Sequence, residues 1–175
     1  TITNLDSLSL RLGTWQKQSQ INSDKSLTEL TKLWQQRLQE RLPVQYLVET
    51  VFWRRFQLKV TPAVLIPRPE TELIIDIALA NSLISSGERH WVDLGTGSGA
   101  IAIGLADVFP TATVHGVDLS ADALKIAQEN ANSLNLDNIH FYQGSWWSPL
   151  DSLQGQITGM ISNPPYIPSS QIAQL

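Results

Sequence analysis

The sequence predicts an α/β protein with a Rossmann-like, doubly wound parallel sheet, and two observations support this prediction. First, strand-like and helix-like segments alternate between residues 90 and 162, the order that gives parallel strands joined by helices. Second, the polar side chains suited to ligand binding directly follow these strands, and open α/β sheets bind ligands at the carboxyl ends of strands. The predicted elements are a strand from residue 90, a helix at about 98–108, a strand at 112–118, a helix at 121–134, and strands at 139–142 and 159–162.

The segment before the sheet predicts two helices and a hairpin. Apolar residues recur at helical spacing across residues 5–20. A second helix is expected to begin after Ser26, because Glu29 completes a capping box with it, and to end before Pro43. We interpret its leucine stripe as core. Residues 51–60 approach the alternation typical of a short hairpin. The chain thus divides into a helical domain at 1–50, a hairpin linker at 51–66 and the sheet domain at 67–175.

The composition is that of a globular protein and excludes several kinds of chemistry. Of 175 residues, 42% are hydrophobic and 16% charged, and none is cysteine. Disulfides, zinc–thiolate sites and cysteine nucleophiles are therefore excluded. The three histidines occur singly, and we interpret them as structural, so no metal site is expected. No apolar run approaches the roughly 20 residues of a membrane span and no signal peptide is visible, which predicts a cytoplasmic protein without a membrane partner.

The net charge of −4 conceals an asymmetry between the two halves of the chain. Residues 1–70 contain ten Lys and Arg against six Asp and Glu, whereas residues 71–175 contain two against ten. The half with the predicted site therefore lacks the basic surface that nucleic-acid enzymes use. The basic half is interpreted as a solvated helical surface or as a docking site for an acidic partner.

The turn after the first sheet strand predicts a cofactor pocket. Gly95, Gly97 and Gly99 alternate there, so the backbone can approach a ligand closely, and the following helix directs its first amides at the same space.

Gly95 and Gly97 also fit the dinucleotide pattern, which is weak by itself. Asp93 favours S-adenosylmethionine instead, because a carboxylate attracts a cationic ligand and repels pyrophosphate. A tight turn without a ligand is the third interpretation. Thr96 and Ser98 complete the predicted cofactor-binding turn.

Two later strands end in further candidate cofactor residues. Asp118 follows the second strand at about the offset expected for an acid that binds ribose hydroxyls. It could instead cap the next helix, but Ser120 is the better capping residue. Trp146 and Trp147 follow the third strand, where either could stack on an adenine. The sequence does not distinguish between these two tryptophans.

The tetrapeptide Asn163-Pro164-Pro165-Tyr166 predicts the chemistry of the acceptor group. Neither proline has an N–H, so the segment presents acceptors without competing donors. The Asn163 side-chain oxygen and the Pro164 carbonyl can accept both hydrogens of a planar NH2 group and orient its nitrogen for in-line attack. Tyr166 would pack against that flat group. A rigid turn without function is the alternative.

Residues 67–72 read Pro-Arg-Pro-Glu-Thr-Glu and predict a stiff extended segment that enters a helix. Each proline fixes its own φ and restricts its neighbour. Pro69 suits the first turn of a helix, and Glu70 and Glu72 suit the positive end of the helix dipole. From physical arguments alone, a plain linker is an equally good interpretation.

Together these motifs resemble the HemK/PrmC family, protein-(glutamine-N5) methyltransferases that modify the Gly-Gly-Gln glutamine of peptide-chain release factors. The resemblance covers roughly residues 43–168. It depends on residues 66–72, Asp93 to Ala100, Asp118, and Asn163 to Tyr166. The Asn-Pro-Pro-Tyr motif is shared with adenine-N6 nucleic-acid methyltransferases, so segment 67–72 is the more specific part. Related ribosomal-protein glutamine methyltransferases are also similar.

The resemblance implies a class I S-adenosylmethionine methyltransferase sheet, here ending after its fourth strand, with a helical amino-terminal domain that helps bind the release factor. It implies that the glycine turn and Asp118 bind the cofactor, that Trp146 lies beside the adenine, and that Asn163 contacts both cofactor and substrate. Many relatives have an acidic residue where Ser145 stands, which removes one adenine contact from the expectation. An inactive cofactor-binding fragment is the remaining alternative.

Overall fold

A computed structural model describes residues 14–17, 20, 22–81 and 89–164. The chain forms two compact units, Thr1–Glu49 and Thr50–Leu175. The finer division at residues 50 and 66 stays a prediction.

The first unit contains a 3-10 helix at Thr14–Lys17 and helices α1 (Leu27–Glu40) and α2 (Val44–Leu47). The capping box of α1 is confirmed, because the Glu29 amide donates to the Ser26 hydroxyl and the Ser26 amide donates to the Glu29 carboxylate. The interpretation of its apolar stripe as core is wrong, since no residue of α1 is buried. Helical periodicity identifies an apolar face but not a partner that covers it. Most of the helix predicted at residues 5–20 lies outside the described residues.

The second unit begins with the predicted hairpin. Strands β1 (Thr50–Trp53) and β2 (Phe56–Lys59) pair antiparallel. Their inward side chains are fully buried within the core of this unit, where apolar burial contributes roughly 1.5–3 kcal/mol for each large side chain. These side chains are Trp53, Phe56 and Leu58.

The predicted doubly wound sheet is confirmed. Strands β3 (His90–Leu94), β4 (Thr113–Asp118), β5 (Ile139–Gln143) and β6 (Ile157–Ser162) are parallel in the order β5-β4-β3-β6. Helix α3 (Glu72–Asn81) precedes β3, α4 (Ala100–Val108) connects β3 to β4, and α5 (Ala121–Ser133) connects β4 to β5. The chain runs outward from β3 through β5 and returns to β6 on the other side. The crevice between the carboxyl ends of β3 and β6 is therefore the switch point at which such sheets bind ligands.

Helix α4 lies at the centre of the main core. Seven of its residues, Ala100 to Ala106, are buried, the pattern of a helix that is enclosed on all sides. A smaller cluster on the sheet consists of Val92, Leu94, Val117 and Leu150. In the part of the chain that the structure describes, no helix combines the length and apolar character needed to span a bilayer.

Candidate functional site

The two predicted motifs meet at the switch point. The Ser162 hydroxyl at the end of β6 donates a 2.8 Å hydrogen bond to the Leu94 carbonyl at the end of β3, and these two residues are register partners. Just beyond these strand ends, a Cβ placed on Gly95 would lie 3.7 Å from the Pro164 Cα. The glycine turn and the Asn163–Pro164 segment therefore form adjoining walls of one crevice.

The three glycines of the turn serve different purposes. All three have positive φ, +75° at Gly95, +54° at Gly97 and +82° at Gly99, a conformation that favours glycine. A Cβ on Gly97 would meet nothing within 4 Å, whereas one on Gly99 would lie 3.1 Å from the Ala127 Cβ. The space needed for a ligand is thus open at Gly97. Gly99 also lets the start of α4 approach Ala127 of α5 closely, and its assignment to the cofactor stays a prediction.

Asp93 lies beneath the turn with its side chain fully buried. Its Oδ2 accepts hydrogen bonds from the Thr96 hydroxyl at 2.6 Å and the Ala102 amide at 3.1 Å. Its Oδ1 is buried without a hydrogen-bond partner among the described residues. Burial raises the pKa of this carboxyl to about 6, although the Thr96 and Ala102 hydrogen bonds oppose the rise. The sequence predicted a carboxylate beside a ligand, and the structure adds that this carboxylate also orients the turn.

Asp118 joins the glycine turn to the start of α5. Its Oδ2 accepts from the Gly97 amide and its Oδ1 from the Ser120 amide, both at 2.9 Å. Ser120 caps α5, because its hydroxyl accepts from the Ala123 amide at 3.2 Å. The prediction that Ser120 caps this helix is therefore confirmed. The carboxylate of Asp118 contacts the glycine turn through the Gly97 amide.

The segment after β5 lies close to Asp118, since the Gly144 amide donates to the Asp118 carbonyl at 3.0 Å. Trp146 follows at φ +50° with 55% of its surface exposed. Trp147 is 41% exposed and lines an open depression with Leu150. The proximity of this segment to Asp118 agrees with an adenine-binding position, but the choice between the tryptophans stays a prediction.

Asn163 is half-buried and directs its side-chain Nδ2 at the Thr71 hydroxyl, 3.3 Å away. Thr71 is itself buried, at the end of a 3-10 helix formed by Pro69–Thr71. Sequence analysis treated its segment as an entry into a helix and missed this contact, because no local pattern reports a partner so distant along the chain. Pro165 and Tyr166 lie outside the described residues.

Asn130 is a second residue that sequence analysis missed. Its Oδ1 accepts from the Lys59 amide at 2.7 Å, and its Nδ2 donates to the carbonyls of Lys59 and Ser98 at 3.0 and 2.9 Å. It thereby joins hairpin strand β2 to the glycine turn. A signal was present, since Asn130 follows Ala123 and Ala127 on the buried face of α5, and a polar residue on such a face needs polar partners.

The three histidines, which occur singly in the sequence, lie side by side across β3, β4 and β5. His90 Nδ1 is 2.9 Å from His115 Nε2, and His115 Nδ1 is 3.2 Å from the Tyr142 hydroxyl. The rings of His115 and His140 lie 6.1 Å apart. Burial, with smaller contributions from the other two histidines, lowers the pKa of His115 to about 4.

Known proteins similar to this chain share one name. A family profile described as "Methyltransferase domain" matches residues 85–163. The chain is 52% identical to a release factor glutamine methyltransferase of Synechocystis sp., over 99% of this chain and 59% of that protein. It is 51% identical to the protein of that name from Thermosynechococcus vestitus, over 89% and 54%. It is 44% identical to that from Gloeobacter violaceus, over 99% and 58%. By sequence, the chain is similar over most of its length to proteins named release factor glutamine methyltransferase, and it contains a methyltransferase-domain match.

The chain spans between half and three fifths of the length of these relatives. The profile extends from before β3 through the glycine turn to Asn163, the first residue of the opposite wall.

Proposed function

We propose that the protein transfers a methyl group from S-adenosylmethionine to the side-chain amide nitrogen, N5, of the glutamine in the Gly-Gly-Gln motif of peptide-chain release factors. The observation that supports this most directly is the contact between the two walls of the crevice, where a Cβ on Gly95 would lie 3.7 Å from the Pro164 Cα. This contact would bring an acceptor group next to the cofactor-binding turn. The printed names of the similar proteins agree with a release factor as the substrate.

The residues of the glycine turn fit the cofactor. The open space above Gly97 accommodates a ligand against bare backbone. Asp93 keeps a buried oxygen without a hydrogen-bond partner in the described part of the chain, and Asp118 adds a second carboxylate, as suits a ligand with positive charge and hydroxyl groups. We assign cofactor binding to Asp93, Gly95, Thr96, Gly97, Ser98, Gly99, Asp118, Trp146 and Asn163.

The Asn163 wall orients the acceptor amide. A carboxamide nitrogen is a weak nucleophile because its lone pair is delocalised into the carbonyl. The Asn163 Oδ1 and the Pro164 carbonyl accept its two N–H groups and direct the nitrogen at the methyl carbon. When bound, the cofactor supplies an electrophilic methyl group: the N–C bond forms as the S–C bond breaks, sulfur leaves as a neutral thioether, and the nitrogen releases one proton to solvent. To Pro165 and Tyr166, which lie outside the described residues, we assign the predicted roles of stiffening the segment and packing against the amide plane.

A protein acceptor fits better than a nucleic acid. Residues 71–175, which form the crevice, have two basic residues against ten acidic ones, and phosphate backbones are bound by surfaces of the opposite charge. We therefore propose release factors as partners, no direct nucleic-acid or membrane partner, a role in translation termination and a cytoplasmic location.

A methyl-transfer assay with labelled cofactor tests this proposal. Purified release factor, ribosomal protein and oligonucleotide are supplied together, and label is expected in the release-factor glutamine. Label in the oligonucleotide or the ribosomal protein would instead establish one of the two alternative substrates. Cofactor binding without transfer to any of them would establish a binding fragment.

Asn163→Ala is expected to reduce transfer by about a hundredfold or more, the range seen when one transition-state hydrogen-bonding group is removed, with a smaller loss of cofactor affinity. Asn132→Ala is the matched control, because Asn132 is exposed on α5 and its side chain accepts a hydrogen bond from Gln128 of the same helix. Full activity of the Asn163 variant would show that the proposed acceptor role is wrong.

A further inference from the structure

We infer that Asn130 is a positioning residue for the glycine turn, and that its side-chain amide holds the Ser98 carbonyl so that the turn has its ligand-binding shape before the ligand arrives. The identity of that ligand as S-adenosylmethionine rests on the proposed function. The order that Asn130 gives to the turn does not, and it is measured separately below.

The orientation of the Asn130 carboxamide is fixed by the chemistry of its partners. Its Oδ1 accepts from the Lys59 amide at 2.7 Å, and its Nδ2 donates to the carbonyls of Lys59 and Ser98 at 3.0 and 2.9 Å. A backbone amide can only donate and a backbone carbonyl can only accept, so the reversed carboxamide would face a donor with its NH2 group and two acceptors with its oxygen. Asn130 is 2% exposed, and its amide is therefore satisfied by these protein groups rather than by bulk water.

The buried face of α5 holds the Ser98–Gly99 peptide by shape as well as by hydrogen bonding. Ala127 lies three residues before Asn130 on this face, and a Cβ on Gly99 would lie 3.1 Å from the Ala127 Cβ. The Gly99 amide, at the other end of the peptide, donates to the Thr96 carbonyl at 2.8 Å. That bond closes the turn on itself, whereas the bond from Asn130 attaches the peptide to α5 and, through Lys59, to the end of β2 that lies away from the hairpin tip.

The Ser98–Gly99 peptide directly follows Gly97, where the turn is open to a ligand. Ser98 is 3% exposed, so removal of the Asn130 amide would leave its carbonyl buried without that partner, an unfavourable state that movement of the turn toward water would relieve. A binding-competent shape that is only partly populated lowers the apparent affinity by the same fraction. Loss of the Asn130 amide should therefore raise the cofactor dissociation constant and leave the Asn163 wall as it is.

Asn130→Asp tests this with a change that keeps the shape of the side chain. The ionised carboxylate still accepts from the Lys59 amide but no longer donates to the Ser98 carbonyl. Asn138→Asp is the matched control, because Asn138 is half-buried and its Nδ2 also donates to backbone carbonyls. These lie at the end of α4 opposite the glycine turn and belong to Ala106, Phe109 and Ala112.

Both Asp variants should lose stability, but only Asn130→Asp should weaken cofactor binding. We expect its dissociation constant for S-adenosylmethionine, measured by titration calorimetry below the unfolding temperature, to rise about tenfold to a hundredfold, as for other residues that orient a ligand-binding group. Its methyl-transfer rate should return close to that of the unmodified protein at saturating cofactor. Asn130→Ala, which removes the amide without adding a charge, should shift the dissociation constant in the same direction. A dissociation constant unchanged in both Asn130 variants would overturn the inference.

The second readout is the exchange of the Gly99 amide with water, measured by NMR on ¹⁵N-labelled protein without ligand. We expect Asn130→Asp and Asn130→Ala to speed this exchange and Asn138→Asp to leave it slow, because a general loss of stability would affect the control equally. Equal exchange in the Asn130 variants and the control would overturn the inference. If the unmodified protein binds no S-adenosylmethionine, the proposed function fails, and the Gly99 exchange still decides whether Asn130 orders the turn.

A measurement on the unmodified protein replaces the variants if they do not fold. The side-chain NH2 of Asn130 should exchange slowly with water in the free protein and equally slowly after S-adenosylmethionine is added. Protection that arises only with the cofactor would overturn the inference, because the bond to the Ser98 carbonyl would then be a result of binding and not a preparation for it.

Discussion

The two walls of the crevice obtain their shapes from contacts of different range. In the glycine turn, Thr96 bonds to Asp93 three residues away and Gly97 to Asp118 twenty-one residues away, all within the β3–α4–β4 segment. On the opposite wall, Asn163 bonds to Thr71, 92 positions earlier in the chain. The glycine-turn wall is therefore fixed mainly by the β3–α4–β4 segment, with one long-range bond from Asn130 to the Ser98 carbonyl, and the Asn163 wall depends on how the hairpin, α3 and β6 pack together.

This difference predicts where substitutions act. Changes within the glycine turn should alter either the fold or cofactor binding, according to the individual residue. Changes in the hairpin tip should leave cofactor binding alone and alter only the Asn163 wall.

The largest effect is expected from Gly99→Ala, compared with Gly97→Ala. Both alanines would adopt a positive φ, which costs about 1–2 kcal/mol, but only the one at position 99 would also press against Ala127. Overpacking adds about 1–3 kcal/mol. Chemical denaturation should therefore show a loss of about 3 kcal/mol for Gly99→Ala and about 1 kcal/mol for Gly97→Ala. Titration calorimetry should show that Gly97→Ala weakens cofactor binding. Equal losses of stability would contradict the division of roles between these glycines.

A pH-dependent effect of similar size is expected at Asp93. Burial raises its pKa to about 6 in the folded protein from an ordinary value of 3.8. The folded state therefore binds the proton more tightly, and this contribution to stability is present below about pH 4 and is lost as the pH rises to about 6. The shift corresponds to about 3 kcal/mol.

Asp93→Asn removes this titration. Between pH 4 and pH 6 the unmodified protein should lose about 3 kcal/mol of unfolding free energy that the variant does not lose. Above pH 6 the difference between the two proteins should stay constant. Denaturation curves collected across this range measure it directly, since the contributions of all other groups cancel in the difference. A difference that does not change with pH would show that Asp93 is not the buried acid that the structure indicates.

The smallest effect on stability is expected at the hairpin tip, where two neighbouring arginines form a matched pair. Arg54 bonds to Glu72 and forms an ion pair with Asp76, whereas Arg55 pairs with Asp107 from an exposed position. Arg54→Met should cost about 1 kcal/mol and lower kcat several-fold without changing cofactor affinity. Arg55→Met should change both stability and rate little. The two walls are not independent if kcat falls by the same factor in both variants. The same conclusion follows if Arg54→Met weakens cofactor binding.

Features that depend on neighbours in the sequence were predictable. The capping box at Ser26, the capping residue Ser120 and the order of strands and helices all follow from spacing and residue type over short distances. The glycine turn was predictable for the same reason, because its positive φ angles are a property of the local backbone.

Features that depend on packing were not predictable. The exposure of the apolar stripe of α1, the contact of Gly99 with Ala127 and the bond from Thr71 to Asn163 each require knowing which element lies opposite. The histidine cluster is similar, since it exists only because β3, β4 and β5 are adjacent and in register. Hydrophobic periodicity gives the direction of a side chain relative to its own element and no information on its neighbour.

The place of β6 beside β3 has a consequence for biosynthesis. The β3–α4–β4–α5 segment leaves the ribosome with the described hydrogen-bond partners of the glycine turn already translated, whereas the opposite wall has to wait until β6 emerges and pairs with β3. The amino-terminal part of a chain is synthesised first and can begin to fold before the rest. A nascent chain would thus be able to bind its small-molecule ligand at the glycine turn before the Asn163 wall is in place. The bound ligand would then stabilise the three-stranded sheet of β3, β4 and β5 until β6 is added.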